Sequence, residues 1–146
     1  MIIEDVKASG MSDKNLKILI IDDDEINNFI ATKLISRIEP VADVFTCLNG
    51  EEGIDFLKSH INEREELPDV ILLDINMPVM NGWGFLDTFE KIKDSIVGKK
   101  IMINMLSSSV YNDDITKAET YSTVSKFISK PLTIDKIKEI YSSLGY

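Results

Sequence analysis

The sequence predicts an α/β fold: a doubly wound, five-stranded parallel sheet with helices on both faces. Two observations lead there. Five short apolar runs, rich in branched side chains, alternate with five stretches of helical spacing, and four of the runs end in a polar or charged residue. The clearest run, Val70-Ile71-Leu72-Leu73, is apolar without alternation, as a strand buried on both faces of a parallel sheet should be. It leads straight into Asp74, and the Met77-Pro78 and Asn81-Gly82 beyond it require the chain to turn.

Along the chain, residues 1–15 are mixed and polar with no sustained period and read as a mobile tail. Residues 16–146 form a single expected domain. Lys17-Ile18-Leu19-Ile20-Ile21 is the first strand, ending at Asp22-Asp23. Ile26, Phe29, Ile30, Leu34 and Ile38 recur at helical spacing, and Pro40 ends that helix. Val41 to Cys47 alternates as a second strand, Asn49-Gly50 turns the chain, and Glu51 to Ser59 forms a helix with Ile54 and Leu57 inward. Val70 to Asp74 is the third strand, and Phe85, Leu86, Phe89 and Ile92 mark the third helix. Ile101 to Leu106 is a fourth strand running into Ser107-Ser108-Ser109, and Asn112 to Ser122 is a helix with few apolar anchors. Lys126 to Ser129 is a short fifth strand ending at Lys130-Pro131. Thr133 caps a last helix carrying Ile134, Ile137, Ile140, Tyr141 and Leu144.

Composition narrows the function. The 146 residues carry a net charge of −9, which argues against nucleic-acid binding through a basic patch. No apolar run approaches the roughly 20 residues of a membrane span, and the N-terminus does not read as a signal peptide. Cys47 is the one cysteine, so no intrachain disulfide is available, and it reads as a small core residue. A cytoplasmic location fits.

The strand ends make a constellation. With strands ordered 2-1-3-4-5, the first and third are neighbours at a topological switch point, where ligands bind outside the carboxyl ends of the strands. Asp22, Asp23 and Asp74, the hydroxyl of Ser107 and the ammonium of Lys130 then converge on one crevice. Close carboxylates repel and raise one another's pKa values, and a hard divalent cation with oxygen ligands relieves this. Serine and lysine donors suit the oxygens of a phosphoryl group.

In their order and strand-end placement, Asp22-Asp23, the Asp74 strand with Met77-Pro78 and Asn81-Gly82, Ser107 and Lys130-Pro131 resemble the receiver domain of two-component response regulators. The resemblance runs from about Leu16 to the C-terminus. It implies a flavodoxin-like, stand-alone signalling switch similar to the chemotaxis regulators, not an enzyme beyond its own phosphorylation and dephosphorylation. It implies Asp74 as phosphoacceptor. Mg²⁺, with Mn²⁺ as a possible substitute, would be held by Asp22, Asp23, Asp74 and the carbonyl of Asn76. Ser107 and Lys130 would bond the phosphoryl group, across a Lys130–Pro131 bond that is cis in the family. Phe127 matches the aromatic switch position, where Phe lacks the hydroxyl of Tyr. Asn76, Ser108 and Ser109 lie where phosphate access and lifetime are set. A sensor histidine kinase or histidine phosphotransfer protein is the implied donor, docking near Ile26, Asn27, Ile30 and Leu132. An unidentified protein is the target, and the chain is expected as a monomer or weak dimer without nucleic-acid or membrane contacts.

Two other classes fit parts of the pattern. A haloacid-dehalogenase-type phosphohydrolase would use Asp22 as nucleophile with Asp24 two residues on, but would need Asp135 and Glu139 as a further acidic pair and leaves Asp74 without a role. A pseudo-receiver would keep the fold as a binding module and take no phosphate.

Overall fold

The computed structural model describes residues 15–96, 98–108 and 112–146, so the expected tail, Asn15 apart, and Ser109 lie outside the described residues. Five strands alternate with five helices: β1 (Leu16–Ile21), α1 (Glu25–Ile35), β2 (Ala42–Cys47), α2 (Gly50–Ser59), β3 (Val70–Asp74), α3 (Gly82–Ile92), β4 (Met102–Ser107), α4 (Asn112–Glu119), β5 (Val124–Ser129) and α5 (Ile134–Ser143). All pairings are parallel, and the strand order is β2-β1-β3-β4-β5, as expected.

Alternation along each strand divides the apolar side chains between two layers. Leu19, Ile21, Ile71, Leu73, Ile103 and Met105 face the side covered by α2 and α3, with Leu57, Phe85 and Phe89 packed on them. Ile18, Ile20, Val70, Leu72 and Leu106 face the other side, under Ala31 and Ile35 of α1 and Ile137, Ile140 and Tyr141 of α5. Each branched side chain taken fully out of water contributes about 1.5–3 kcal/mol. All five residues of β3 are buried, so this strand fixes the centre of the sheet.

Several elements differ from expectation, each for a local reason. Asn49 and Asn81 are helix N-caps rather than turn residues: their side chains accept from the amides of Glu52 and Gly84, both at 2.9 Å. Accordingly α2 and α3 begin on the glycine that follows each cap. A Cβ on Gly82 would collide with the Asp74 carbonyl oxygen and lie 3.0 Å from the Ile75 Cα, so only glycine lets α3 start against the end of β3. The fifth strand begins at Val124, two residues before Lys126.

The phase of α1 is the largest departure. The stripe led by Ile26, Phe29 and Ile30 points outward, with exposures of 73%, 64% and 49%. The inward line is Asn28, Ala31 and Ile35. The cap sets that phase. Asp24 Oδ1 accepts from the amides of Ile26 and Asn27 at 3.0 and 3.1 Å, and Asn28 Nδ2 donates to the Asp22 carbonyl at 2.9 Å.

The thinly anchored α4 buries only Ala118 among its described residues. Its position is set instead by aromatic contacts with α3. Tyr121 stacks on Trp83 at 6.0 Å, Lys117 Nζ sits 4.7 Å from the Trp83 ring centre, and the Tyr121 hydroxyl donates to Asp87 at 2.8 Å.

Candidate functional site

The register of the sheet gathers the polar strand ends. Ile21 pairs with Leu73, so Asp22 and Asp74, the next residue on each strand, stand side by side. Asp74 pairs with Leu106, and Ser107 pairs with Ser129, so Ser107 and Lys130 emerge beside Asp74 at the same edge. Carboxylate oxygens of Asp22, Asp23 and Asp74 lie within 4.8 Å of one another. Lys130 Nζ bridges two of them, at 2.8 Å from Asp22 Oδ2 and 3.3 Å from Asp74 Oδ1.

Each carboxylate has a distinct setting. Asp22 is 3% exposed and pinned: its second oxygen, Oδ1, accepts from the Asp24 amide at 2.9 Å. Asp74 is 9% exposed, and Asp23 is open to solvent. Burial, followed by the charge of Asp22, pushes the Asp74 carboxyl up from 3.8 to about 6 against the opposing pull of Lys130. Burial also works against the Lys130 ammonium, but its bond to Asp22 and the two carboxylate charges outweigh this and raise its pKa. The donor set fits a hard divalent cation. It offers oxygen ligands only, and the Asp22 charge adds to burial in raising the Asp74 carboxyl.

Ser107 is buried at 2% exposure as the last residue of β4, and its carbonyl accepts from the Lys130 amide at 2.8 Å. Lys130–Pro131 is cis, as is Glu39–Pro40. Asn76 and Ser108 are exposed beside the strand ends. Phe127 is half-buried, paired with Met105, and packs on the α2/α3 layer. A groove of about 300 Å³ opens next to the carboxylates, lined by Asp22, Asn27, Ile30, Ser108, Lys130 and Leu132 among others. Ile26 is exposed on the same helix as Asn27 and Ile30.

One buried polar residue here was not anticipated. Asn28 holds the Asp22 carbonyl from α1. Its signal was its place on the i, i+3, i+7 line with Ala31 and Ile35, a phase that the apolar residues of α1 obscured. Cys47 is buried with its thiol pushed up to about 11, first by burial and then by Glu52 and Asp55, which suits an inert core residue. The phosphohydrolase alternative loses its parts: the Asp24 side chain is spent on capping α1, and Asp135 and Glu139 are exposed on α5.

The raised Asp74 carboxyl has a consequence for the metal-free protein. A carboxyl whose pKa rises on folding stabilises the fold fully below its ordinary 3.8, and that contribution is lost as pH climbs through about 6. Asp74→Asn should therefore raise the thermal midpoint at pH 7.5 by several degrees, at about 2–4 °C per kcal/mol in a chain of this size. The gain should vanish below pH 4. A midpoint unchanged at pH 7.5, or a gain that persists undiminished to pH 4, would contradict the burial and repulsion assigned to Asp74.

A doubly wound sheet with paired acidic residues after its first strand, an aspartate after its third and a lysine after its fifth defines a phosphorylatable signalling domain. The chain belongs to the response regulator receiver domain family, whose model matches residues 18–142. It is 29% identical over 137 residues to two-component response regulator 24 of Arabidopsis thaliana, covering 94% of this chain and 89% of that protein. It is 29% identical over 134 residues to hybrid signal transduction histidine kinase G of Dictyostelium discoideum, covering 92% of this chain but only 4% of that much longer protein. The crystal structure of a two-component response regulator from Cytophaga hutchinsonii superposes with a TM-score of 0.81 and 32% identity, covering 91% of this chain and all of that one. No helix among the described residues is long and apolar enough to cross a membrane.

Proposed function

We propose that the chain is a receiver that takes a phosphoryl group from a phosphohistidine onto Asp74 and passes the signal through protein contacts. The single observation that supports this best is the Lys130 ammonium set between Asp22 and Asp74, beside the open carboxylate of Asp23. An oxygen of Asp74 attacks phosphorus in line, the bond from phosphorus to the imidazole nitrogen breaks, and the imidazole leaves. The resulting acyl phosphate is later cleaved by water, which returns the carboxylate. Lys130 moves with its charge from the carboxylate toward the phosphoryl oxygens, and Ser107 donates its hydroxyl to one of them. Asp22, Asp23, Asp74 and the Asn76 carbonyl would hold Mg²⁺, which when bound supplies charge neutralisation for the phosphoryl oxygens. Drawing Ser107 toward the phosphoryl group shifts the end of β4. From there the change passes to α4 and, by packing, to Phe127, because no hydroxyl is available at that position.

The donor's docking surface is the rim formed by Asn27 and Ile30 on α1 and Leu132 after the cis proline, which line the groove beside the carboxylates, with Ile26 exposed on the same helix. The test compares two donors on one variant. Wild-type protein should be labelled by a phosphohistidine donor and by acetyl phosphate. Asn27→Arg, or a bulky replacement of Leu132, should slow the first severalfold and leave the second unchanged, since Asp74 is untouched. Equal slowing with both donors means the change has damaged the site. Unchanged rates with both place docking elsewhere. Wild-type protein that takes no label from either donor in the presence of Mg²⁺ rejects phosphate transfer altogether and favours a pure binding module.

A further inference from the structure

The strand that leads into Lys130 is held by the sheet on one side only. β5 is an edge strand, so its backbone bonds reach β4 alone, and beyond it the Lys130 amide donates to the Ser107 carbonyl at 2.8 Å. On its other side the chain around Lys130 meets the first turn of α5. There the ammonium of Lys136 donates to the Ser129 carbonyl at 2.7 Å, to Ser129 Oγ at 3.3 Å and to the Pro131 carbonyl at 3.0 Å. These acceptors belong to the two residues flanking Lys130. An ammonium has three donors, and Lys136 directs all of them to one short stretch of chain.

We propose that Lys136 is a positioning residue for phosphoryl transfer: it fastens the backbone on both sides of Lys130 to α5 and so holds the Lys130 ammonium between Asp22 and Asp74. This rests on the assignment of Asp74 as acceptor and Lys130 as its charge partner. The physical case is one of tether and reach. Lys130 ends a flexible four-carbon stem, and its distances to the two carboxylates hold only while its Cα is held. The stem alone cannot define that point, and an edge strand anchors it from one side. Charge-assisted bonds to carbonyls are about twice as strong as neutral ones, which suits Lys136 to fixing the other side. Lys136 itself lies beyond the reacting atoms and acts through Lys130.

The experiment is a cycle of four proteins labelled by acetyl phosphate with Mg²⁺: wild type, Lys136→Met, Lys130→Ala and the double variant. Methionine keeps most of the aliphatic stem and removes the donors. Lys136→Met should slow labelling roughly tenfold, since small displacements of a catalytic group carry large rate penalties. In the Lys130→Ala background the same change should slow it no further, because the group that Lys136 holds is gone. A merely structural role would lower the thermal midpoint and slow both backgrounds by the same factor, which overturns the inference. So does a Lys136→Met rate equal to wild type. Lys130→Ala at the wild-type rate instead overturns the site assignment beneath it, and a failure of that kind is read from a variant that leaves Lys136 intact. Should Lys136→Met not fold, Lys136→Gln keeps a donor on a shorter stem, and the same loss of effect in the Lys130→Ala background is required of it.

Discussion

Asp74→Asn is expected to abolish labelling by any phosphodonor while the far-ultraviolet circular dichroism stays that of the parent. The amide is nearly the same size as the carboxylate and fits the end of β3, where all five residues are buried. It carries no charge and is a poor nucleophile, so the bond to phosphorus does not form. The Asp22 carboxylate is no substitute. It is 3% exposed, with one oxygen on Lys130 and the other on the Asp24 amide. Asp23 is accessible, so stoichiometric labelling that persists in Asp74→Asn, mapped to Asp23 or elsewhere, would sink the acceptor assignment. The converse variant sharpens the test. Asp22→Asn should slow labelling and weaken metal binding without removing the acceptor.

Removing Mg²⁺ has the second large effect. Three carboxylates have oxygens within 4.8 Å of one another, Lys130 reaches only Asp22 and Asp74, and burial together with the Asp22 charge pushes the Asp74 carboxyl up to about 6. Labelling should stop when the cation is chelated and return when it is restored. The folded chain should also gain stability by mass action, about 2.7 kcal/mol at a hundredfold excess over Kd. In a chain this size that corresponds to a rise of roughly 5–10 °C in the thermal midpoint. Asp23→Asn should lose more of this gain than Asp22→Asn, because Asp22 spends one oxygen on Lys130 and the other on a backbone amide. A flat midpoint across a wide Mg²⁺ titration, together with labelling that survives chelation, would contradict the site.

These expectations depend on different layers of information. The buried strands were legible because a strand covered on both faces needs an unbroken apolar run, and Val70-Ile71-Leu72-Leu73 has no other good use. The strand ends were equally legible, since Asp74 and Asp22-Asp23 directly abut such runs and the chain punctuates itself with proline and glycine. Helix starts were less so. Asn49 and Asn81 carry the same residue pair whether they turn a chain or cap a helix, and only the side-chain bonds to Glu52 and Gly84 decide it.

By itself, the sequence determined the α/β class, the succession of strands and the identity of the polar residues that end them. All of these follow from short-range patterns of burial and chain reversal. The expected strand order already brought those ends to one crevice; tertiary structure decided the register and the contacts within it. Asp22 and Asp74 are 52 residues apart along the chain, and parallel pairing of β1 with β3, in a register that sets Ile21 opposite Leu73, brings them together. It also decided which way α1 faces. Helical spacing admits more than one inward phase, and the Asp24 cap together with the Asn28 bond to the Asp22 carbonyl selects the one that leaves Ile26, Phe29 and Ile30 outside. The clamp of Lys136 on the residues flanking Lys130 was invisible for the same reason. A lysine on a helix's first turn looks like solvated surface until the edge strand and its loop are folded against it.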